Sequence, residues 1–132
     1  MMPKNKAEFS LDELQEVQKQ HDALYHSDLE AMDVKRQIAH TVFHLAKVLG
    51  HLGNYLEKSE HGEDGEALHL ENELKEKWVP DLLIYTLKLS NLFGIKVAEA
   101  YWQRIMEDRH KQKARVPRPS ANETLIPEIP KK

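Results

Sequence analysis

The chain has 132 residues, enough for a single helical core and too few for a second catalytic domain. Its 22 acidic and 19 basic residues give a formal charge of −3, so no overall basic field attracts DNA or RNA. Cysteine is absent, which excludes disulfides and thiolate zinc sites and suits a cytoplasmic protein. No stretch approaches the roughly 18 uninterrupted apolar residues of a membrane span, so a membrane is not an expected partner.

Glycines and prolines divide the sequence into four predicted helices, and no segment shows the alternation of a strand. Ser10 and Glu13 have the spacing of a capping box at the start of the first helix. Pro80 is expected to kink or restart the third helix, and Gly94 to end it. The predicted class is therefore all-α, a four-helix bundle. Its helices cover about residues 11–32, 33–56, 70–93 and 96–113.

The predicted bundle occupies residues 10–113, between an N-terminal extension at 1–9 and a proline-rich tail at 114–132. The tail, VPRPSANETLIPEIPKK, cannot form a helix and is either disordered or laid in extended form across another surface. The acidic segment EKSEHGEDGEALH between the second and third helices lacks the ligand order of a calcium loop. It is predicted to be a solvated loop.

The second helix is apolar over most of its circumference. Its core row is predicted to be Ile38, Val42, Leu45, Leu49, Leu52 and Leu56. His40, His44 and His51 fall within about 40° of one another around the helix axis and are expected to lie nearly opposite that row. Three neighbouring helices cannot cover so many apolar directions. We therefore expect a symmetric homodimer or a dimer of dimers, packed mainly through the second and third helices.

Two segments resemble the MazG-like all-α nucleotide pyrophosphohydrolases. In VPDLLIYTLKLSNLFGIKVAEAYWQRIMEDRHK, residues 79–111, an aspartate opens a leucine-rich helix, a Gly-Ile turn follows, and a helix with spaced basic residues comes next. In IAHTVFHLAKVL, the letters HLA stand where the family usually has ELA. The resemblance covers roughly residues 10–113. It implies an oligomeric helical fold that hydrolyses a nucleoside triphosphate to the monophosphate and pyrophosphate with Mg²⁺.

The resemblance also identifies site positions, and here the sequence departs from the family. Four carboxylates hold the magnesium ions in the family, and this chain has Thr41, His44, Trp78 and Asp81 at those places. With three of four carboxylates absent, the expected hydrolytic activity is weak or lost. The resemblance further assigns Asn91, Arg104 and Lys111 to ligand and phosphate binding. For Arg104 and Lys111, solvated charges near a helix C-terminus are the alternative.

His40 and His44 are one helical turn apart and, with Asp81, match the ligands of a transition metal such as Mn²⁺ or Zn²⁺ better than those of Mg²⁺. The alternatives are that the same histidines are hydrogen-bonded or interfacial polar residues, or part of a metal-free pocket. Three hypotheses about function follow. The chain is a divergent hydrolase, a non-catalytic scaffold that binds a nucleotide or a protein, or an unrelated bundle with a histidine metal site.

Overall fold

The computed structural model describes residues 8–115. This part of the chain forms two compact units, the first ending at Ile95 and the second beginning at Lys96. All regular secondary structure in the described residues is helical, which confirms the all-α prediction. None of the described helices is both long and apolar enough to cross a bilayer. The predicted proline-rich tail beyond Arg115, and the predicted N-terminal extension before residue 8, lie outside the described residues.

The first unit contains five α-helical segments and one π-helical turn among its described residues. The helix boundaries are α1 Leu11–Tyr25, α2 Ser27–Glu30, α3 Val34–Glu60, α4 Asp64–Glu73, the π-helical turn Leu74–Trp78, and α5 Val79–Phe93. The second unit contains α6, Val97–Arg115. The prediction of one helix over residues 11–32 is wrong at its centre, because His26 leaves the helical conformation at φ −131° and ψ 35°. Ser27 and Asp28 follow, and short polar residues of this kind favour helix starts over helix interiors.

Polar caps fix where α1 and α3 begin. The Ser10 hydroxyl accepts a hydrogen bond from the Glu13 amide at 3.1 Å, as the capping-box spacing predicts. Asp33 does the same for the Arg36 amide at 3.0 Å. At the other end of α5, Gly94 adopts φ 65°, the left-handed conformation in which glycine avoids a Cβ clash. The sequence thus specifies these three helix ends locally.

Helix α4, the π-helical turn and α5 follow one another without a break. Pro80 has no amide hydrogen to donate to the preceding turn, and the helix changes from α-helical to the wider π-helical geometry just before it. The Val79 amide there reaches back five residues, to the carbonyl oxygen of Leu74. The helix is therefore neither ended nor restarted at Pro80, and the disturbance takes the form of a π-helical turn inside a longer helix.

The prediction of a solvated acidic loop after α3 is wrong for most of that segment. Helix α3 continues to Glu60, and α4 begins already at Asp64. Lys58 explains the difference, because its ammonium group lies 3.1 Å from the Glu63 carboxylate and 3.2 Å from that of Glu66. These two hydrogen bonds raise the pKa of Lys58 above its ordinary value. The acidic run is thus partnered across a tight turn.

Helix α5 packs against both α1 and α3, and α3 also packs against α4. Two ring stacks set the register of α3 against the helix that follows it. His44 stacks on Tyr85, and His51 stacks on Trp78. The second contact lies seven residues later than the first along α3 but seven residues earlier along the other helix. The two helices therefore run antiparallel.

The predicted core row of α3 is only half right, because Ile38, Leu45 and Leu52 are half-buried but the other three residues are exposed. Thr41 and Val48 are the residues of α3 that are buried, while Val42, Leu49 and Leu56 of the predicted row are about half exposed or more. At about 100° per residue around the helix axis, the mean direction of Thr41 and Val48 lies roughly 70° from that of the predicted row. As a result, His44 and His51 turn toward α5 and the π-helical turn, and they do not lie opposite the core.

Candidate histidine cleft

Four imidazoles line one cavity of the first unit, which we call the histidine cleft. They come from α1, from the α1–α2 junction and from α3. The volume of about 440 Å³ falls in the range of small-ligand pockets, roughly 300–1,000 Å³. Helix α5 supplies the facing side chains. The polar and aromatic lining residues are Gln18, His21, His26, His40, His44, Asp81, Tyr85 and Lys88.

His40 and His44 form a direct contact within the cleft. Their Nε2 atoms are 3.0 Å apart, so one ring donates a hydrogen bond that the other accepts. The His44 ring also stacks on Tyr85, with ring centroids 5.2 Å apart and planes 17° from parallel. Burial lowers the pKa of His44, and the nearby charges of His40, Lys88 and Lys47 lower it further. Burial also raises the pKa of the Tyr85 hydroxyl.

Lys88, which lines the cleft, forms an ion pair with α1. Its ammonium nitrogen lies 3.3 Å from Oδ1 of Asp22, and both side chains are more than four-fifths buried. The same Asp22 oxygen accepts a hydrogen bond from the Gln18 amide at 3.0 Å. Lys88 is therefore a structural partner of Asp22, a role that was not predicted from the sequence.

Trp78 occupies one of the places where the resemblance expects a magnesium-binding carboxylate. Its ring stacks on His51 with centroids 3.7 Å apart and planes 17° from parallel. The Lys77 ammonium lies 4.5 Å from the Trp78 ring centroid, within cation–π distance. Trp78 thus joins the π-helical turn to α3 by packing, and His51 covers one face of its ring.

The remaining predicted ligand contacts divide between the two units. Asn91 lies in a smaller cavity that borders the histidine cleft, and its amide donates to the Gln15 carbonyl at 3.2 Å. Arg104 and Lys111 belong to α6 in the second unit, where both are exposed. The Arg104 guanidinium pairs with Glu107, three residues later, at 2.6 Å. The structure therefore brings His40, His44 and Asp81 around one cleft, with Asn91 beside it.

The residues at the cleft do not fit a magnesium site. Mg²⁺ prefers oxygen ligands in octahedral geometry, whereas the three candidate ligands are two imidazoles and one carboxylate. Within residues 8–115, no three histidine, aspartate or glutamate side chains converge closely enough to hold a metal ion. The imidazole pair alone has a spacing that suits one ion, since Zn²⁺ lies about 2.0–2.1 Å from histidine nitrogen.

Sequence reasoning missed four residues of this region: His21, Asp22, His26 and Tyr85. One signal was available, because five of the eight histidines fall between residues 21 and 51. The helical period relates His40 to His44, but it cannot relate either one to a histidine on another helix. Only the packing of α1 and α2 near α3 brings His21 and His26 to the same cleft.

Comparisons with known proteins do not identify a family for this chain. No protein-family model matches the chain, and neither the curated proteins nor the solved structures include a significant match.

Proposed function

We propose that this chain is a MazG-like helical protein that has lost magnesium-dependent pyrophosphohydrolysis and uses the histidine cleft to bind a nucleotide. One observation carries the proposal. The side chains that replace the expected carboxylates are engaged with other residues: His44 with His40 and Tyr85, and Trp78 with His51. These contacts support a rebuilt cleft in place of a vacant metal site. The lack of cysteine supports a cytoplasmic location.

The lining of the cleft favours an anionic ligand with an aromatic part. Lys88 and four imidazoles supply hydrogen-bond donors, while Asp81 limits the positive charge of the lining. A bound phosphate would favour the protonated form of the imidazoles beside it. We therefore expect nucleotide affinity to be higher at pH 6.0 than at pH 7.5.

The hydrolytic half of the proposal is tested by pyrophosphate release from the common nucleoside triphosphates. With Mg²⁺, we expect no turnover in the usual enzymatic range of roughly 1–10³ s⁻¹. Turnover in that range with Mg²⁺ would contradict the loss of activity. Turnover with Mn²⁺ or Zn²⁺ alone would instead indicate that the site has changed its metal.

The binding half is tested by calorimetric titration with ATP at pH 6.0 and 7.5 in the presence of a chelator. Replacing one member of the contact pair, His40→Gln, should weaken binding at pH 6.0. The matched control is His69→Gln, because His69 is an exposed histidine on α4 outside the cleft. Equal affinity in both variants, or no heat with any nucleotide, would contradict a nucleotide site in this cleft.

The spacing of His40 and His44 favours a second candidate, a transition-metal site based on two imidazoles. Titration with Zn²⁺ and Mn²⁺ should then give one site per chain, and His40→Gln should abolish it. Unchanged metal binding in that variant would remove this candidate.

A further inference from the structure

The side of α3 that points away from α5 is almost wholly apolar. We call this the outer face of α3. It is about 25 Å long at 1.5 Å per residue, and all of its members are exposed; the Phe43 side chain, for example, is 72% exposed. A row of apolar side chains of this length in water is characteristic of an interaction surface. Its members are Ala39, Val42, Phe43, Ala46, Leu49, Gly50, Gly53 and Leu56.

Two glycines on this face have no explanation among the described residues 8–115. Gly50 and Gly53 lie in the middle of a 27-residue helix, where glycine is the least favourable residue after proline. A Cβ added to either residue would meet nothing within 4 Å. Neither glycine has the positive φ that would require it. A close neighbour from outside the chain would explain both.

The spacing along the outer face is that of a helix-pairing seam. Residues 39, 42, 46, 49, 53 and 56 alternate steps of three and four, and small residues alternate with large ones. If a second α3 lies antiparallel, three contacts pair a small residue with a large one. They are Ala39 with Leu56, Val42 with Gly53, and Ala46 with Leu49. In the flanking row, Phe43 lies opposite Gly50.

The charges at the two ends of α3 match the same register. Lys35 and Arg36 are exposed at the start of the helix, and Glu57 and Glu60 are exposed at its end. The antiparallel alignment places Lys35 near Glu60, and Arg36 near Glu57. A parallel alignment would instead oppose Lys35 to Lys35 and Leu49 to Leu49. Size and charge therefore favour the same arrangement.

We propose that two copies of this chain associate through the outer faces of α3, antiparallel, about a two-fold axis between Ala46 and Leu49. The occupant is a second copy because the face is complementary to itself in size and in charge. This inference concerns a different surface from the histidine cleft and does not depend on what the cleft binds. A helical partner of another kind, or another segment of the same chain, would need no such self-complementarity.

Disulfide cross-linking tests the register, since the sequence contains no cysteine. We expect a mixture of the Lys35→Cys and Glu60→Cys variants to form a covalent heterodimer on oxidation. Neither variant alone should cross-link, because residue 35 would lie about 37 Å from its own copy, at 1.5 Å per residue. A disulfide requires Cα atoms roughly 4.4–6.8 Å apart. A mixture of Lys35→Cys with Asp12→Cys, on α1, measures the background from random collisions.

A second substitution tests whether the cross-link depends on the outer face of α3. Gly53→Leu fills the space proposed for Val42 of the other copy and should reduce the Lys35–Glu60 cross-link at least tenfold. Gly65→Leu in α4 is the matched control, because a Cβ there also meets nothing within 4 Å. Cross-linking of Lys35→Cys alone would overturn the antiparallel register. A yield in the mixture no higher than the background would overturn the second copy as the occupant.

Discussion

Both sides of α3 carry apolar residues, whereas a helix in a self-sufficient bundle is expected to present a polar side to solvent. Its inner side presents the buried Val48 and the half-buried Leu45 and Leu52. Thr41 and two half-buried imidazoles lie on the same side, and the Thr41 hydroxyl donates a hydrogen bond to the Gln37 carbonyl at 2.9 Å. Its outer side presents large aliphatic and aromatic groups to solvent. Val48 is 1% exposed, while its neighbour Leu49 is 62% exposed. Helix α3 therefore carries more apolar side chains than a single chain buries.

The largest expected effect is the difference in stability between a carboxylate placed on the inner side of α3 and one placed on its outer side. Val48→Asp puts a carboxylate without a partner in the core and should lower the free energy of unfolding by about 3 kcal/mol or more. Leu49→Asp, one residue further along, should leave the helical circular dichroism at 25 °C unchanged. Chemical denaturation of both variants measures the contrast. Equal destabilisation at low protein concentration would show that both sides are buried in one chain.

A smaller effect is expected from the ion pair that joins α1 to α5. Lys88→Met leaves the Asp22 carboxylate in a largely buried position without its cation, which should cost about 1–3 kcal/mol of unfolding free energy. Adding Asp22→Asn removes the uncompensated charge and should recover most of the loss. Denaturant titrations of the single and double variants give the coupling. If the double variant were as unstable as the sum of the singles, the two groups would not act as a pair.

The smallest expected effect is on the pH dependence of folding stability, through His44 on the inner side of α3. Folding lowers the pKa of His44 below its ordinary value of 6.5, mainly through burial, so the unfolded chain binds more protons near that pH. Stability from this group is fully present above pH 6.5 and is lost as the pH falls toward the folded-state pKa. His44→Gln should flatten the rise of the thermal midpoint with pH, and His40→Gln should flatten it in part. An unchanged slope in His44→Gln would contradict this account of His44.

The helix features that depend on local chemistry follow well from the sequence. Ser10, Gly94 and Pro80 act through their own chemistry or that of close neighbours in the sequence, so their effects could be predicted without knowledge of the fold. The break at His26 could not be predicted, because the apolar period continues past it.

The orientation of α3 could not be predicted for a specific physical reason. Hydrophobic periodicity identifies the apolar side of a helix but not the surface that covers it. The row containing Leu49 was therefore assigned to the core, and the histidines were assigned to the opposite side. Residues of the cleft that lie on different helices, such as His21 and His44, have no fixed relation in sequence.

The mass of the intact chain in solution tests the central claim about α3 most directly. Light scattering at tens of micromolar and pH 7.5 should give twice the chain mass of 15.4 kDa, and the Leu49→Asp variant should give the single mass under the same conditions. A mass of 15.4 kDa for the unmodified chain, or a Leu49→Asp variant that remains a dimer, would contradict it.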